Sequence, residues 1–133
     1  IFQRDNIVAQ AASLAELAEQ RMAGWAERYA IVSEVRCLGL LMGISFTHPD
    51  RDQMADDYDD SWVARTVRNE MLINGVWAIC DTEPTVRMYP ALNMDQQTFM
   101  QALDIIEAAI QTVEKGAELV GDYPPIPGGV TGF

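Results

Sequence analysis

Arg87 is the residue whose type and setting most directly suggest chemistry. It lies inside a short β-type run, residues 85–89. A guanidinium is planar, stays charged and can bind a carboxylate through two parallel hydrogen bonds, and a strand would hold it rigidly. The alternative is an arginine on the solvent face of a half-buried strand, loosely paired with Glu83 or Asp81. Spacing alone favours this second interpretation.

His48 and Lys115 are the only histidine and the only lysine in the chain. Proton relay through imidazole and covalent chemistry on an amine therefore have one candidate each. Lys115 is expected in the last turn of a helix, where an ammonium group interacts favourably with the helix dipole and stays in water. A desolvated nucleophile is not expected there, so no catalytic residue is assigned.

Three further parts of the sequence contain residue types that can bind metal ions or phosphate. The acidic stretch 48–60 lacks the alternating oxygen ligands, the glycine and the closing glutamate of a calcium loop, and it predicts a solvated connection. Cys37 and Cys80 have no second cysteine or histidine at ligand spacing, so both are expected to be buried thiols. The glycines of residues 36–43 lack phosphate-loop spacing and indicate sheet packing. No metal is assigned.

Composition narrows the possible partners. The 133 residues are 49% hydrophobic and carry a formal net charge of -11, with a pI near 4.2. No positive field exists to collect nucleic-acid phosphates or anionic lipids, so neither partner is expected. No run approaches the ~20 apolar residues of a membrane span, and no leader pattern opens the chain. A single soluble, cytoplasmic domain is expected.

The first half of the chain contains a helix followed by two strands. Apolar residues recur at steps of three and four over residues 6–29, which predicts one helix. The period then changes to two, which predicts strands over 31–36 and 38–46 with a bend at Leu38-Gly39. Gly43 lies on the small-residue side of the second strand and is expected to be a point of close contact.

A second helix and a second hairpin follow. The helix is predicted to begin at Asp60 or Ser61 and to end at Asn74-Gly75, a left-handed C-terminal turn. Residues 76–80 and 85–89 are predicted to pair as strands across a four-residue connection.

A long helix closes the ordered part of the chain. Asn93, with Gln96 three residues on, is predicted to cap it, and Gly116 is the predicted stop. The Pro- and Gly-rich tail, residues 117–133, is expected to be extended or partly disordered. The fold class is therefore α+β: residues 1–116 form a small, mostly antiparallel sheet covered by helices on one face.

Four segments occur in one order and spacing that match a known family. They read RCLGLLMGI over residues 36–44, NGV over 74–76, VRMYPAL over 86–92 and NMD over 93–95. Together they resemble the C-terminal small domain of class III aminotransferases. These are pyridoxal-phosphate enzymes that include ornithine, acetylornithine and 4-aminobutyrate aminotransferases. The resemblance covers residues 6–116, with Pro90-Ala91 where the family commonly has Pro-Pro.

The resemblance implies a domain that packs beside a larger cofactor-binding domain at a homodimer interface. By the Arg87-x-x-Pro90 match, Arg87 would bind the carboxylate of the amino-acid or 2-oxo-acid substrate. Pyridoxal 5'-phosphate, its lysine and its acidic partner have no matching positions here and would belong to a large domain upstream, in keeping with a chain that begins at Ile1. The fragment alone would be inactive. In the whole protein an amino group would pass from an amino acid or amine to a 2-oxo acid.

Two alternatives stay open. Relatives of this class include an aminomutase and a decarboxylase, and nothing in these residues separates those reactions from transamination. The chain could also be a free-standing module that binds a small acid or another protein without catalysis, since it holds no cluster of nucleophile, base or metal ligands.

Overall fold

The computed structural model describes residues 2–80, 84–90 and 94–120, with residues 2–6 and 117–120 described by their backbone alone. In chain order the elements are α1 (Phe2–Met22), α2 (Trp25–Arg28), β1 (Val32–Leu38), β2 (Leu41–Phe46), α3 (Trp62–Ile73), β3 (Thr85–Met88) and α4 (Gln96–Val120). A short 3-10 turn, Arg51–Gln53, lies between β2 and α3. No helix in this part of the chain is long and apolar enough to cross a membrane.

The strands form one antiparallel sheet in the order β1-β2-β3, which confirms the predicted α+β class. The strand boundary was predicted too early, because β1 runs on to Leu38 and pairs there with Leu41. Gly39 has φ +60°, a conformation that suits the first central residue of a type II′ hairpin turn. The turn is therefore Gly39-Leu40.

One face of the sheet is packed against the helices. Two rows of paired residues point to this side and are largely buried: Val35, Ile44, Val86, and Cys37, Met42, Met88. They join one core with the inner faces of the helices, including Leu14, Trp25, Val67, Leu103 and Ile110. Because side chains alternate along a strand, the rows between them point to the opposite, open face.

The first predicted helix is interrupted. Residues 6–29 form α1 and the single turn α2, with a break at Ala23-Gly24 instead of one continuous helix. Glycine weakens a helix by about 1 kcal/mol relative to alanine, so the chain can change direction there at little cost. The change lets Trp25 and Tyr29, both buried, pack into the core.

Glu107 of α4 links the two N-terminal helices to the last one. Its carboxylate accepts hydrogen bonds from the Tyr29 hydroxyl, from Arg21 at 2.8 Å and from Arg28 at 2.8 Å. Partial burial tends to raise the pKa of Glu107, but the hydrogen bonds from Tyr29 and Arg21 and the two arginine charges outweigh it and lower the pKa. The ionised carboxylate is thus part of the folded structure.

The second predicted hairpin is much reduced. Helix α3 ends as predicted, at Asn74 with Gly75 at φ +95°. The next backbone N–H, that of Val76, donates to the carbonyl of Met71 at 2.9 Å and so completes the helix end instead of starting a strand. Residues 76–80 pair with β3 only at Ile79, opposite Arg87, so the prediction of a full strand there is wrong.

Helix α4 differs from its prediction at both ends. Asn93, the predicted cap, lies outside the described residues, and Asp95 caps the helix instead. Its Oδ1 accepts from the backbone N–H of Thr98 at 2.9 Å and its Oδ2 from the hydroxyl of Thr98 at 2.8 Å. Gly116 does not end the helix, which continues to Val120 because intrahelical bonds outweigh one glycine. The domain division after residue 116 stays a prediction, and residues 121–133 lie outside the described part.

Candidate functional site

The open face of the sheet holds a shallow pocket of about 270 Å³ at the end nearest the β1–β2 turn. Two arginines, Arg36 and Arg87, line it together with the exposed apolar side chains of Leu38, Leu41 and Tyr89. Among the described residues, none of those that line it is acidic. In a chain with 20 acidic and 9 basic residues, two arginines in one pocket gather positive charge locally.

Arg87 is held from both sides along its backbone. On one side it pairs with Gly43 of β2. On the other, its N–H donates to the carbonyl of Ile79 at 2.8 Å, and the N–H of Ile79 donates back at 2.9 Å. The side chain is half-buried and points into the open-face pocket. The alternative partners Glu83 and Asp81 lie outside the described residues.

Arg36 occupies the matching position on β1. Arg36 of β1 and Arg87 of β3 pair with Gly43 from opposite sides of β2. The three residues therefore form one row across the sheet. Adjacent strands are about 4.8 Å apart, which puts the two arginine Cα atoms roughly 10 Å from each other. Gly43 has no side chain to fill the space between them.

The guanidinium of Arg36 lies over β2 instead of extending away from the sheet. A methyl group built on Gly43 would be 4.0 Å from both Nε and Nη2 of Arg36. Nη2 also donates to the hydroxyl of Ser45 at 3.1 Å, and that hydroxyl is 2.9 Å from the hydroxyl of Thr85. The contact predicted at Gly43 is therefore made by Thr85, whose Cγ2 would lie 3.7 Å from that methyl group, and by the Arg36 side chain.

Glu34 is the acidic residue nearest to this guanidinium in the described hydrogen bonds and ion pairs. Its Oε1 is 3.7 Å from Nη1 of Arg36, and both side chains are more than half exposed. An exposed ion pair at this distance contributes little, typically ~0.2–1 kcal/mol. Arg36 therefore keeps most of its capacity to bind another anion.

The other sequence candidates lie outside this pocket. Lys115 is exposed on α4, as predicted, and does not line the pocket. The described residues therefore offer no amine beside the two arginines, and they do not fit a site that holds pyridoxal phosphate. Within residues 2–80, 84–90 and 94–120, no cluster of three histidine, cysteine or acidic side chains is placed to hold a metal ion.

His48 and the two cysteines differ from their predictions. His48 belongs to the stretch predicted to be a solvated connection, yet its side chain is buried beside the rings of Tyr58 and Trp62, and its Nδ1 accepts from the backbone N–H of Asp50 at 3.0 Å. Cys37 and Cys80 are only partly buried, because each lies near an edge of the core. Burial, with a smaller contribution from Glu19, raises the pKa of Cys37.

Sequence reasoning missed Arg36 as a site residue and treated residues 36–43 as sheet packing alone. The signal was present in the position of the turn. Once Gly39-Leu40 is placed as a two-residue turn, Leu38 pairs with Leu41, and counting outward pairs Arg36 with Gly43. The predicted bend at Leu38-Gly39 shifted that register and hid the pairing.

Comparisons with known proteins agree on one family. A family model described as "Aminotransferase class-III" matches residues 1–110. The mitochondrial acetylornithine aminotransferase of Yarrowia lipolytica is 36% identical over 81 residues, 61% of this chain and 16% of that protein. A leucine/methionine racemase of Thermococcus litoralis is 27% identical over 121 residues, 91% of this chain and 26% of that protein.

The solved structures extend the likeness to the fold. The PMP-bound form of an aminotransferase from Vibrio fluvialis superposes with a TM-score of 0.72 at 18% identity. The superposition covers 85% of this chain and 24% of that one. The chain thus spans only about a sixth to a quarter of the length of these three proteins.

Proposed function

Because the chain belongs to the class-III aminotransferase family, we propose that its parent protein moves an amino group from an amino acid or amine to a 2-oxo acid. This chain supplies substrate binding and orientation to that reaction. Positioning of this kind can lower an activation barrier by several kcal/mol. In the best intramolecular reactions the effect reaches ~7–11 kcal/mol. The rest of the catalytic apparatus belongs to the parent protein outside residues 1–133.

The observation that carries the proposal is the placement of Arg87. Its backbone is fixed by Gly43 on one side and Ile79 on the other, and its side chain lines the pocket on the open face of the sheet. A rigid guanidinium can receive a substrate carboxylate through two parallel hydrogen bonds with little loss of its own freedom. In this proposal Arg87 binds the carboxylate of the amino acid or 2-oxo acid.

Pyridoxal phosphate supplies the electron sink for this chemistry when bound. The chain's single lysine, Lys115, lies on the exposed side of α4 and away from the pocket lining. The proposal therefore assigns the cofactor, the lysine that binds it and its acidic partner to the large domain of the parent. The full-length parent acts as a homodimer in this proposal. The pocket on the open face of this chain lies against that domain.

Racemisation is a second candidate, favoured by the racemase that aligns with 91% of the chain. A racemase of amino acids also needs to bind the substrate carboxylate, so Arg87 has the same role in both reactions. The two differ in whether the nitrogen leaves the substrate.

An isotope experiment separates these functions. The purified full-length parent, loaded with pyridoxal phosphate, is incubated with one enantiomer of a nitrogen-labelled amino acid, with and without a 2-oxo acid. A transaminase transfers the label into a new amino acid only when the acceptor is present. Formation of the opposite enantiomer without acceptor indicates a racemase. Absence of both reactions over a range of donors supports a non-catalytic binding module and contradicts the proposal.

A further inference from the structure

We infer that Tyr89 and Leu41 form a side-chain subsite beside Arg87, and that the site therefore prefers amino acids and 2-oxo acids with an aliphatic side chain. The inference deepens the proposed function and rests on it for the role of Arg87. Its first support is the order of the rows on the open face of the sheet. The row that contains Arg87 is followed, two residues further along each strand towards the β1–β2 turn, by a row that is apolar throughout.

Leu38, Leu41 and Tyr89 make up this apolar row. Leu38 pairs with Leu41 across the hairpin. The pairing of Met42 with Met88 brings Tyr89, the next residue, alongside Leu41. Since side chains alternate along a strand, all three residues of the row point to the open face, and all three line its pocket.

These apolar side chains are largely exposed in the part of the chain that the structure describes. Leu38 is 76% exposed, Leu41 52% and Tyr89 55%, whereas the other large apolar residues of the three strands lie in the core or against it. A group of exposed apolar residues in one place is typical of a binding surface. Small-molecule sites are lined mainly by apolar and aromatic side chains, with a few polar groups that fix the orientation of the ligand. The apolar row and Arg87 together have this composition.

The spacing of the two rows fits a short aliphatic side chain. Residues two apart on a strand are roughly 6.7 Å from each other, a distance that a side chain of three or four carbon atoms can span. With the carboxylate bound at Arg87, the side chain of an amino acid such as leucine can lie over Leu41 and against the ring of Tyr89. Alanine is too short to reach the row. A pocket of about 270 Å³ lies just below the usual range of small-molecule sites, so the side chain that it accepts is small.

The test uses the full-length, cofactor-loaded parent with two acceptors that differ only in the side chain, 4-methyl-2-oxopentanoate and pyruvate. The wild type should have the higher kcat/KM for 4-methyl-2-oxopentanoate. Tyr89→Ser should lower that value by about tenfold, because the apolar contact is lost, and should change the value for pyruvate by about twofold or less. Leu41→Ser should show the same selectivity. Tyr89→Phe keeps the ring and should retain the preference of the wild type.

A matched variant and a binding measurement complete the design. Trp77→Ser is the control, because Trp77 is also an exposed aromatic residue but does not line the pocket, and it should change neither acceptor. Competition by 4-methylpentanoate and propionate, which carry no oxo group and do not react, should show that Tyr89→Ser weakens binding of the larger acid alone. The thermal unfolding midpoint of the Tyr89→Ser parent should equal that of the wild type.

Three results overturn the inference. They are equal loss on both acceptors with Tyr89→Ser, no loss on either, and a wild-type parent that prefers pyruvate. Equal loss together with a lower unfolding midpoint means that the row packs against another part of the parent instead of binding substrate.

A failure of the proposed function is distinguishable from these results. Arg87→Gln should weaken both acceptors, and a variant that loses nothing contradicts the proposed role of Arg87 and leaves Tyr89 to be judged by its own selectivity. If the parent transfers no amino group, the transaminase proposal fails. Calorimetric titration with 4-methylpentanoate and propionate, on the wild type and on Tyr89→Ser, then decides whether the apolar row selects aliphatic side chains.

Discussion

Arg36 and Arg87 stand on either side of Gly43 in one row of the sheet, with the guanidinium of Arg36 lying over the glycine. The two residues are 51 positions apart in sequence, and only the antiparallel order β1-β2-β3 brings them together. The helices of the described residues pack on the other face of the sheet, and both arginines line the pocket on this one. The fold thus places two arginines on the sheet face that the described helices leave open.

A large side chain at Gly43 should interfere with binding in the pocket. In the full-length parent, Gly43→Leu should displace the Arg36 side chain that lies over Gly43, narrow the pocket beside Arg87 and lower kcat/KM for a carboxylate-bearing substrate by about tenfold or more. Gly43→Ala is the control, because its methyl group would lie 3.7 Å from Cγ2 of Thr85 and 4.0 Å from Arg36, which are ordinary contacts. Steady-state kinetics of both variants checks this. A leucine variant with wild-type kinetics would show that no substrate binds in this pocket.

Removing the Glu107 carboxylate should destabilise the chain. Glu107→Gln removes the negative charge and replaces one of the two acceptor oxygens that Tyr29, Arg21 and Arg28 share with an NH₂ donor, and we expect the free energy of unfolding to fall by about 2 kcal/mol. The control is Asp104→Asn, because Asp104 also contacts Arg21 at 2.8 Å but its side chain is 66% exposed. That change should cost about 0.5 kcal/mol or less. Urea unfolding monitored by circular dichroism measures both, and equal effects would contradict a special role of Glu107.

The same carboxylate should contribute to acid sensitivity. Hydrogen bonds from Tyr29 and Arg21 outweigh burial and hold the pKa of Glu107 below its ordinary value near 4.5. Below that value the unfolded chain binds the proton first, so this contribution is complete above about pH 5 and is lost as the pH falls through the folded pKa. Urea midpoints across this range should therefore fall more steeply for the wild type than for Glu107→Gln. Parallel curves would contradict the assignment.

Two glycines should respond to alanine with opposite signs. Gly75 has φ +95° after α3, so Gly75→Ala is strained and should destabilise the chain by about 1 kcal/mol or more. Gly116 lies inside α4 with no atom within 4 Å of an added methyl group, so Gly116→Ala should stabilise it by about 0.5–1 kcal/mol. Thermal unfolding of both variants is the measurement. Destabilisation by Gly116→Ala would mean that the helix ends at Gly116 after all.

Most of the fold was predictable, because hydrophobic periodicity reports which face of an element is buried. The spacing of Val63, Val67 and Met71 predicts the inner face of α3, and the structure buries all three. The predictions are wrong where contacts in the folded chain outweigh the preferences of the local sequence. The intrahelical hydrogen bonds of α4 continue beyond Gly116. The N–H of Val76 donates to the carbonyl of Met71 and is therefore not available to pair with a strand.

The site was predictable only in part, for reasons of register. Arg87 could be chosen because its type, its strand and the family resemblance agree, and its role in binding a carboxylate stays a prediction. Arg36 could not be chosen without the position of the hairpin turn, since a shift of one residue moves a side chain to the opposite face. The guanidinium of Arg36 lies over Gly43 and donates to the hydroxyl of Ser45. The periodicity of the sequence does not predict such a side-chain hydrogen bond.

The most direct test of the account compares one donor with and without a carboxylate. In the full-length parent loaded with pyridoxal phosphate, kcat/KM is measured for alanine and for isopropylamine, which carries a methyl group in place of the carboxylate. We predict that Arg87→Ala lowers the value for alanine by about tenfold to a hundredfold, while isopropylamine changes by about threefold or less. An equal loss for both donors would contradict the claim and make Arg87 a structural residue.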